Sequence, residues 1–457
     1  MAQSKQLILG ILILALLARA GVFLVSGGIL MEGEGRVQAD LAANLLSGKG
    51  FMLSLSMLEG REGPDRIDPM QESSFAFYRR VDGMYGVLRP GRPTMFLVPG
   101  CAIFQAMIFA FFGSGNLVAV TAVQLLLGVF TVFMGVLLAK RFLEGIYLLL
   151  AATVIALDPF ELYFEAIPAT QALFSLLFLA GLLLSMEVID SANRKRLRLL
   201  APLAGFVWAL TFYVRPVALP FVPWLAAVLL FRGKFKPRVV LYALLMIAVF
   251  FLVLSPWGFR NKEISGSFRI MPTQGGVNLW EFNGRIFSSS FSNELRGATI
   301  MYSQLREEYM GRLESPDLAE FPEFRDEPEW VRDSVLYDRT LEFLGKNPSL
   351  VPRLVSIRFA EFFKPFPLNS FSFAYTLAGL ASFFWVLLFM VSGSLRILSG
   401  RTAAGIFLIG GVWGYVLMHL ITAAGTPHRI AIDFPLIVIA TIGLKTAVLR
   451  FRAGRNC

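Results

Sequence analysis

Apolar residues fall in span-length runs all along the chain, separated mostly by short polar gaps. The runs lie at roughly 7–28, 117–139, 143–158, 168–189, 199–214, 217–231, 239–257, 372–393, 402–424 and 430–449. A helix needs about 17–25 predominantly apolar residues to cross a bilayer. The pattern therefore predicts an all-α polytopic membrane protein with about ten transmembrane helices. An eleventh apolar run, 94–112, contains Pro99-Gly100, a natural break in a helix.

Two long segments carry a different pattern. In "EGEGRVQADLAANLLSGKGF", Glu32 to Phe51, the residues Leu41, Ala42, Leu45 and Leu46 share one helical face. That stripe predicts a helix over 37–47 lying flat at the membrane surface, stopped by Gly48 and Gly50. In 258–371 the polar stretch "EPEWVRDSVLYDRTLEFLGKNP" places Val335, Leu336, Thr340, Leu341 and Leu344 at helical spacing before Asn347-Pro348. This predicts a helical external cap. Three regions follow: 1–257 as a transmembrane module whose first external loop, 29–116, carries two interfacial helices; 258–371 as the external helical region; and 372–457 as the C-terminal transmembrane helices.

Charge sets the orientation. The chain has 457 residues, 56% hydrophobic and 16% charged, with a formal net charge of +10. The excess base sits in short gaps: Lys140-Arg141, Arg194-Lys195-Arg196-Arg198, Arg232-Lys234-Lys236-Arg238, Arg396 with Arg401, and Arg450-Arg452-Arg455. Short basic gaps mark cytoplasmic ends. All five fall inside only if 94–112 stays at the interface or re-enters instead of crossing. Both termini are then cytoplasmic, and the two long segments are extracytoplasmic, as expected for a bacterial inner or plasma membrane protein. No basic–aromatic patch supports nucleic-acid binding. Lys5, an apolar core and Ala18-Arg19-Ala20 imitate a cleavable signal, but the apolar run continues through Val25, so an uncleaved first helix is expected. Cys101 and Cys457 are not expected to pair, and two histidines give no ordinary zinc signature.

The stretch from Glu34 through "LAANLLSGKGF" resembles the first external loop of GT-C glycosyltransferases of the protein-mannosyltransferase and aminoarabinose-transferase type. There an acidic residue, commonly Asp, precedes a helix ending in G-x-G-F. The resemblance continues in order through "RPTMFLVPGCAIFQAMIFAFFG" at 92–113, "LTFYVRP" at 210–216, "SPWGFRNKEISGSF" at 255–268, "GGVNLWEFNG" at 275–284 and "HRIAIDFPLIVIA" at 428–440. It implies the GT-C fold and transfer of a sugar, with inversion, from a polyprenyl-phosphate donor to a hydroxyl on a glycolipid, glycan or protein. It also implies that Glu34 is the catalytic acid's counterpart. Two departures stand out: Glu replaces Asp at position 34, leaving Glu32 a rival, and Gln171 stands where the family often has Glu.

The chemistry suits these residues. A carboxylate takes the acceptor's proton as attack begins, on the face opposite the leaving group. The leaving lipid phosphate needs cations more than a proton donor, and arginine binds phosphate through paired charged bonds. The candidates are Arg92, Arg215, Arg260, His428 and Arg429, with Asn261, Asp433 and Gln171 secondary. Each also has a plain structural role open to it. Arg215 and Arg260 would anchor span ends, Asp433 would pair with Arg429 one turn away, and Arg19 would either snorkel or pair with an outer acid. A metal-free reaction is expected; Glu32, Glu34 and Asp433 are the residues a divalent ion would use. Two other readings stay open: a lipid-linked-sugar flippase or transporter, and a non-catalytic membrane subunit of glycan assembly.

Overall fold

The computed structural model describes residues 2–27, 33–54, 91–284, 327–365 and 373–454. Among the described residues there is no strand, only one antiparallel bridge between Met52 and Pro93. The helices are α1 Ala2–Val25, α2 Gly33–Leu46, α3 Gly100–Phe112, α4 Leu117–Lys140, α5 Gly145–Ala156, α6 Pro159–Glu165, α7 Gln171–Asp190 and α8 Arg194–Val214. A 3-10 turn, Pro216–Ala218, leads into α9 Phe221–Arg232, followed by α10 Pro237–Ser265, α11 Gly275–Asn283, α12 Glu329–Lys346 and α13 Leu350–Phe362. The chain closes with α14 Phe373–Ser399, α15 Ala403–Ile421 and α16 Thr426–Gly454.

Nine candidate spans among the described residues are long and apolar enough to cross a membrane. The tenth expected span, 217–231, is shorter: Pro216–Arg232 is a 3-10 turn plus a 12-residue α-helix. Pro216 and Pro220 interrupt the backbone ladder there and delay the helix start. The apolar run at 94–112 becomes α3, only 13 residues long. At 1.5 Å per residue it covers about 20 Å, short of a hydrocarbon layer of about 30 Å. The run 143–158 extends further than its apolar stretch suggests, through Asp158 into α6. Pro159 opens that helix, and the Asp158 carboxylate caps it by accepting from the amides of Phe160 at 3.1 Å and Glu161 at 3.0 Å.

Bundle packing relies on small residues at crossings. α14 and α16 meet where Gly393 lies against the Ile439 carbonyl and Gly443 against that of Phe389. A side chain at either position would separate the helices, as expected where backbones, not apolar side chains, make the contact in a membrane. The bundle's outer surface stays apolar, with Leu24, Phe111 and Leu252 at 78%, 85% and 70% exposure, which suits lipid.

A second apolar cluster joins both non-membrane segments. Val37 and Leu41 of α2, Phe51, Phe96, Leu97, Trp257 at the end of α10, Val277 and Trp280 of α11, Leu336 and Phe343 of α12 and Leu354 of α13 pack together. The α2 stripe buries Leu41 and Ala42 as expected, while Leu46 stays 43% exposed; Gly48 and Gly50 take positive φ after the helix. In α12 the buried line is Arg332, Leu336, Thr340 and Phe343. Leu341, expected on that face, is 51% exposed: the buried line runs through Arg332 and Phe343, which turns position 341 outward. Arg358 of α13 ties this cap to the bundle. Its guanidinium donates to the carbonyls of Leu420 (3.0 Å), Ile421 (2.9 Å) and Phe282 (2.6 Å) and to Asn283 Oδ1 (2.7 Å).

Candidate functional site

The chain leaves helical geometry between α6 and α7, at Ala166-Ile167-Pro168-Ala169-Thr170. Pro168 removes a backbone donor from the ladder, and the carbonyls of Pro168 and Ala169 are left inside the protein without helical partners. Two glutamines satisfy them. Gln105 Nε2 of α3 donates to the Pro168 carbonyl at 2.7 Å, and Gln124 Nε2 of α4 to that of Ala169 at 2.7 Å. Irregular backbone at membrane depth is tolerated where neighbours supply its hydrogen bonds.

This strap organises the surrounding groups. Thr170 Oγ1 accepts from Arg215 Nε at 2.9 Å, and the Pro427 carbonyl accepts from Arg215 Nη1 at 3.3 Å. Phe174 faces the guanidinium at 5.5 Å. Arg215 is half-buried. Beside it lie the chain's two histidines, ring centroids 4.9 Å apart. His419 Nδ1 lies 2.9 Å from the Ala423 carbonyl, which makes Nδ1 the protonated nitrogen and leaves Nε2 as an acceptor. The Tyr415 ring lies tilted against that of His419 at 4.7 Å between centroids, and its hydroxyl donates to the His428 carbonyl at 2.8 Å. His428 Nδ1 and His419 Nε2 are buried and make no hydrogen bond among the described residues. A buried polar atom left unpaired costs about 1–3 kcal/mol, so such atoms ask for an occupant.

On the other side of the strap, Gly35 packs on Pro168; a Cβ there would lie 3.0 Å from the Pro168 carbonyl oxygen. Glu34 is thus in the first turn of α2, one residue from this contact. Its side chain, and all of Glu32, lie outside the described residues. The strap therefore brings the start of α2 and the Arg215–His428 pair to the same five residues.

The other candidates sit elsewhere or are committed. Arg429 has no exposed surface. Its Nε donates to Asp433 Oδ1 at 2.7 Å and its Nη1 to the Lys364 carbonyl at 2.7 Å, and its guanidinium lies 3.5 Å from the Phe383 ring centre. It holds α16 against α13 and α14. Arg260 donates to the carbonyls of Thr94 (2.7 Å) and Phe51 (3.1 Å) and to Asn261 Oδ1 (3.0 Å), over the Trp257 ring at 4.7 Å. Asn261 in turn donates to the Arg269 carbonyl at 2.8 Å. Both fix the turn after α10 to the segment before α3. Nearby, Glu329 accepts from the Met95 amide at 2.9 Å and the Thr273 hydroxyl at 3.2 Å. Burial pushes its carboxyl above the usual range, against the lowering effect of these donors and of Arg332. Arg92 is exposed at the start of this segment.

Just before the strap lie three acids that escaped the sequence reading, Asp158, Glu161 and Glu165, each 1% exposed. Arg19 of α1 donates through Nη2 to Glu165 Oε1 at 2.8 Å, and its Nε lies 2.8 Å from Oε2. Ser382 of α14 donates to Asp158 at 2.7 Å. The missed signal was the i, i+4 pair Glu161/Glu165 directly before the Pro168 break. Among the described residues no three His, Cys, Asp or Glu side chains gather as metal ligands. Asp433, grouped above with Glu32 and Glu34 for a divalent ion, pairs with Arg429; the side chains of Glu32 and Glu34 lie outside the described residues.

No protein-family model matches the chain, and no curated protein sequence matches it. Solved structures do. The oligosaccharyltransferase of Archaeoglobus fulgidus, in complex with an inhibitory peptide and a dolichol-phosphate, matches 99% of this chain and 52% of its own at 14% identity, with a TM-score of 0.51. The same enzyme with Zn and sulfate matches 97% of this chain and 50% of its own at 13% identity, with a TM-score of 0.53. The chain thus spans about half the length of that enzyme. ArnT from Cupriavidus metallidurans bound to undecaprenyl phosphate matches 96% of this chain and 78% of its own, at 11% identity and a TM-score of 0.38. The likeness is one of fold: the chain shares the fold of the archaeal oligosaccharyltransferase over the part of that enzyme it matches.

Proposed function

We propose that this protein is a lipid-phosphosugar-dependent glycosyltransferase working at the extracytoplasmic face. The observation that carries the reading is the packing of Gly35 on Pro168, two residues from the hydroxyl that holds Arg215. It sets an acid-bearing helix start and a phosphate-binding cation around one strap. The fold supports it, and the archaeal enzyme of the same fold was captured with a dolichol-phosphate.

In this reading the lipid phosphate of the donor lies against Arg215 and His428. Arg215 keeps one guanidinium nitrogen, Nη2, outside the two bonds that orient it; His428 offers Nδ1. Glu34 accepts the proton of an acceptor hydroxyl as its oxygen bonds to the anomeric carbon. The carbon–oxygen bond to phosphate breaks, and the electron pair leaves on the lipid phosphate, stabilised by the Arg215 guanidinium and a hydrogen bond from the neutral His428 ring. Attack opposite the leaving group inverts the anomeric centre. Arg429, Arg260 and Asn261 are positioning residues, and Arg92 meets headgroups at the rim.

The test separates binding from chemistry. Arg215→Ala is expected to weaken binding of bare polyprenyl phosphate by about tenfold or more, the loss of one charged hydrogen-bonding partner. Glu34→Gln is expected to bind normally and lose transfer. Unchanged phosphate affinity in Arg215→Ala would remove it from the site.

A further inference from the structure

A groove of about 460 Å³ opens on the bundle surface between α14 and α16, lined by Phe389, Leu444, Ala447, Val448, Phe451 and Arg452. Its size falls in the range of small-molecule sites, about 300–1,000 Å³. The helix crossing explains it. Gly393 and Gly443 bring the two backbones into contact; past that point α16 presents Ala447, whose small side chain leaves space among larger ones. Leu444, Ala447, Val448 and Phe451 stand at the spacing of one helical face, and Arg452 follows Val448 by one turn. From Leu444 to Arg452 the helix rises about 12 Å, most of the roughly 15 Å depth of one leaflet. Arg450 and Arg452 are exposed and make no ion pair among the described residues. From 373 to 457 the sequence holds one acid, Asp433, which pairs with Arg429 near the opposite end of α16.

We propose that this groove holds one anionic phospholipid of the leaflet at the basic helix ends, its acyl chain along the apolar face of α16 and its phosphate on Arg452. The lining decides the occupant. Four apolar side chains of α16 and Phe389 suit a hydrocarbon tail, and the guanidinium beyond them binds phosphate through paired charged bonds. Charge decides the headgroup. Arg450 adds to Arg452, and Arg396 lies seven residues after Phe389 on the same face of α14. With no acid on these helix ends, a headgroup of net negative charge gains, whereas the cationic end of a zwitterionic one is repelled. Each arginine near the surface is worth about fivefold in affinity for an anionic lipid. The groove is separate from the transfer site: His428 and Arg452 lie about 36 Å apart along α16. The inference stands without the transferase reading.

The experiment uses the full chain in detergent micelles and counts bound lipid by native mass spectrometry. The probes are phosphatidylglycerol and phosphatidylcholine with the same acyl chains. Wild type is expected to bind one phosphatidylglycerol at least fivefold more tightly than phosphatidylcholine. Arg452→Gln is expected to lose about fivefold in phosphatidylglycerol affinity. Ala447→Trp, at an exposed position, fills the groove without touching its charge and is expected to abolish the one-lipid adduct with either probe. Arg238→Gln removes an exposed arginine from another basic helix end, the start of α10, and is expected to change neither affinity. Equal losses in Arg238→Gln and Arg452→Gln would reduce the effect to diffuse attraction and overturn the proposal. So would a wild type without preference between the probes, or an adduct that survives Ala447→Trp. A dimer mass in place of the adduct would overturn it too, making a second copy of the chain the occupant.

Discussion

Arg19→Met tests the electrostatic frame beneath the strap. Arg19 and Glu165 are a buried pair, their side chains 2% and 1% exposed, in contact at 2.8 Å through both carboxylate oxygens. Two unit charges roughly 4 Å apart attract by about 4 kcal/mol at an effective dielectric constant of about 20. Removing one partner of a buried pair typically costs about 3–5 kcal/mol, because the other charge is stranded. Methionine keeps the stem of Arg19 and deletes its charge, so Arg19→Met is expected to lose stability of that order. The double variant Arg19→Met/Glu165→Gln removes both charges and is expected to recover most of the loss. Stability is read by SDS titration of the purified protein in mixed micelles, with transfer activity measured in parallel. Activity should follow the same order, since Glu165 ends the helix that feeds Ile167 to Thr170. A single-variant loss below about 1 kcal/mol, or a double variant no better than the single one, would refute the reasoning.

Other outcomes follow from particular contacts. Gly128 lies against the Glu165 carboxylate, so Gly128→Ala should displace it and mimic part of the Arg19→Met loss in the same titration. Gly393→Leu should separate α14 from α16 and lower the thermal midpoint measured by intrinsic fluorescence, whereas Gly414→Ala, with open space at that position, should not. Glu329 has a raised carboxyl pKa caused first by burial, so its protonated form is the one favoured by folding. The stability it supplies is fully present below its unfolded value and is lost as pH rises through the raised folded value. Glu329→Gln should therefore gain on wild type as pH rises across that window, and a pH-independent difference in thermal midpoint would contradict the assignment.

Much of the fold was legible because the bilayer imposes a length on apolar runs. It failed where proline intervened: Pro216 and Pro220 shorten the helix expected at 217–231, and Pro159 carries the 143–158 span on into α6. The placement of chemistry was less legible. Arg215 comes to lie beside His428 because its guanidinium reaches both Thr170 and the Pro427 carbonyl across the bundle, contacts between residues distant in the chain. Arg429, a ligand-binding candidate in the sequence, bonds Asp433 and two backbone carbonyls in the bundle and keeps Nη2 outside those bonds. The glutamines of α3 and α4 gave no signal at all, since a lone Gln in an apolar run shows no partner until Pro168 breaks a helix elsewhere.

The central claim is that one acid at the start of α2 removes the acceptor's proton beside a lipid phosphate held by Arg215. Its most direct test is single-turnover transfer by Glu34→Gln in nanodiscs loaded with a polyprenyl-phosphate sugar. Full donor occupancy with no inverted product is expected; transfer at a rate close to wild type would rule Glu34 out as the base.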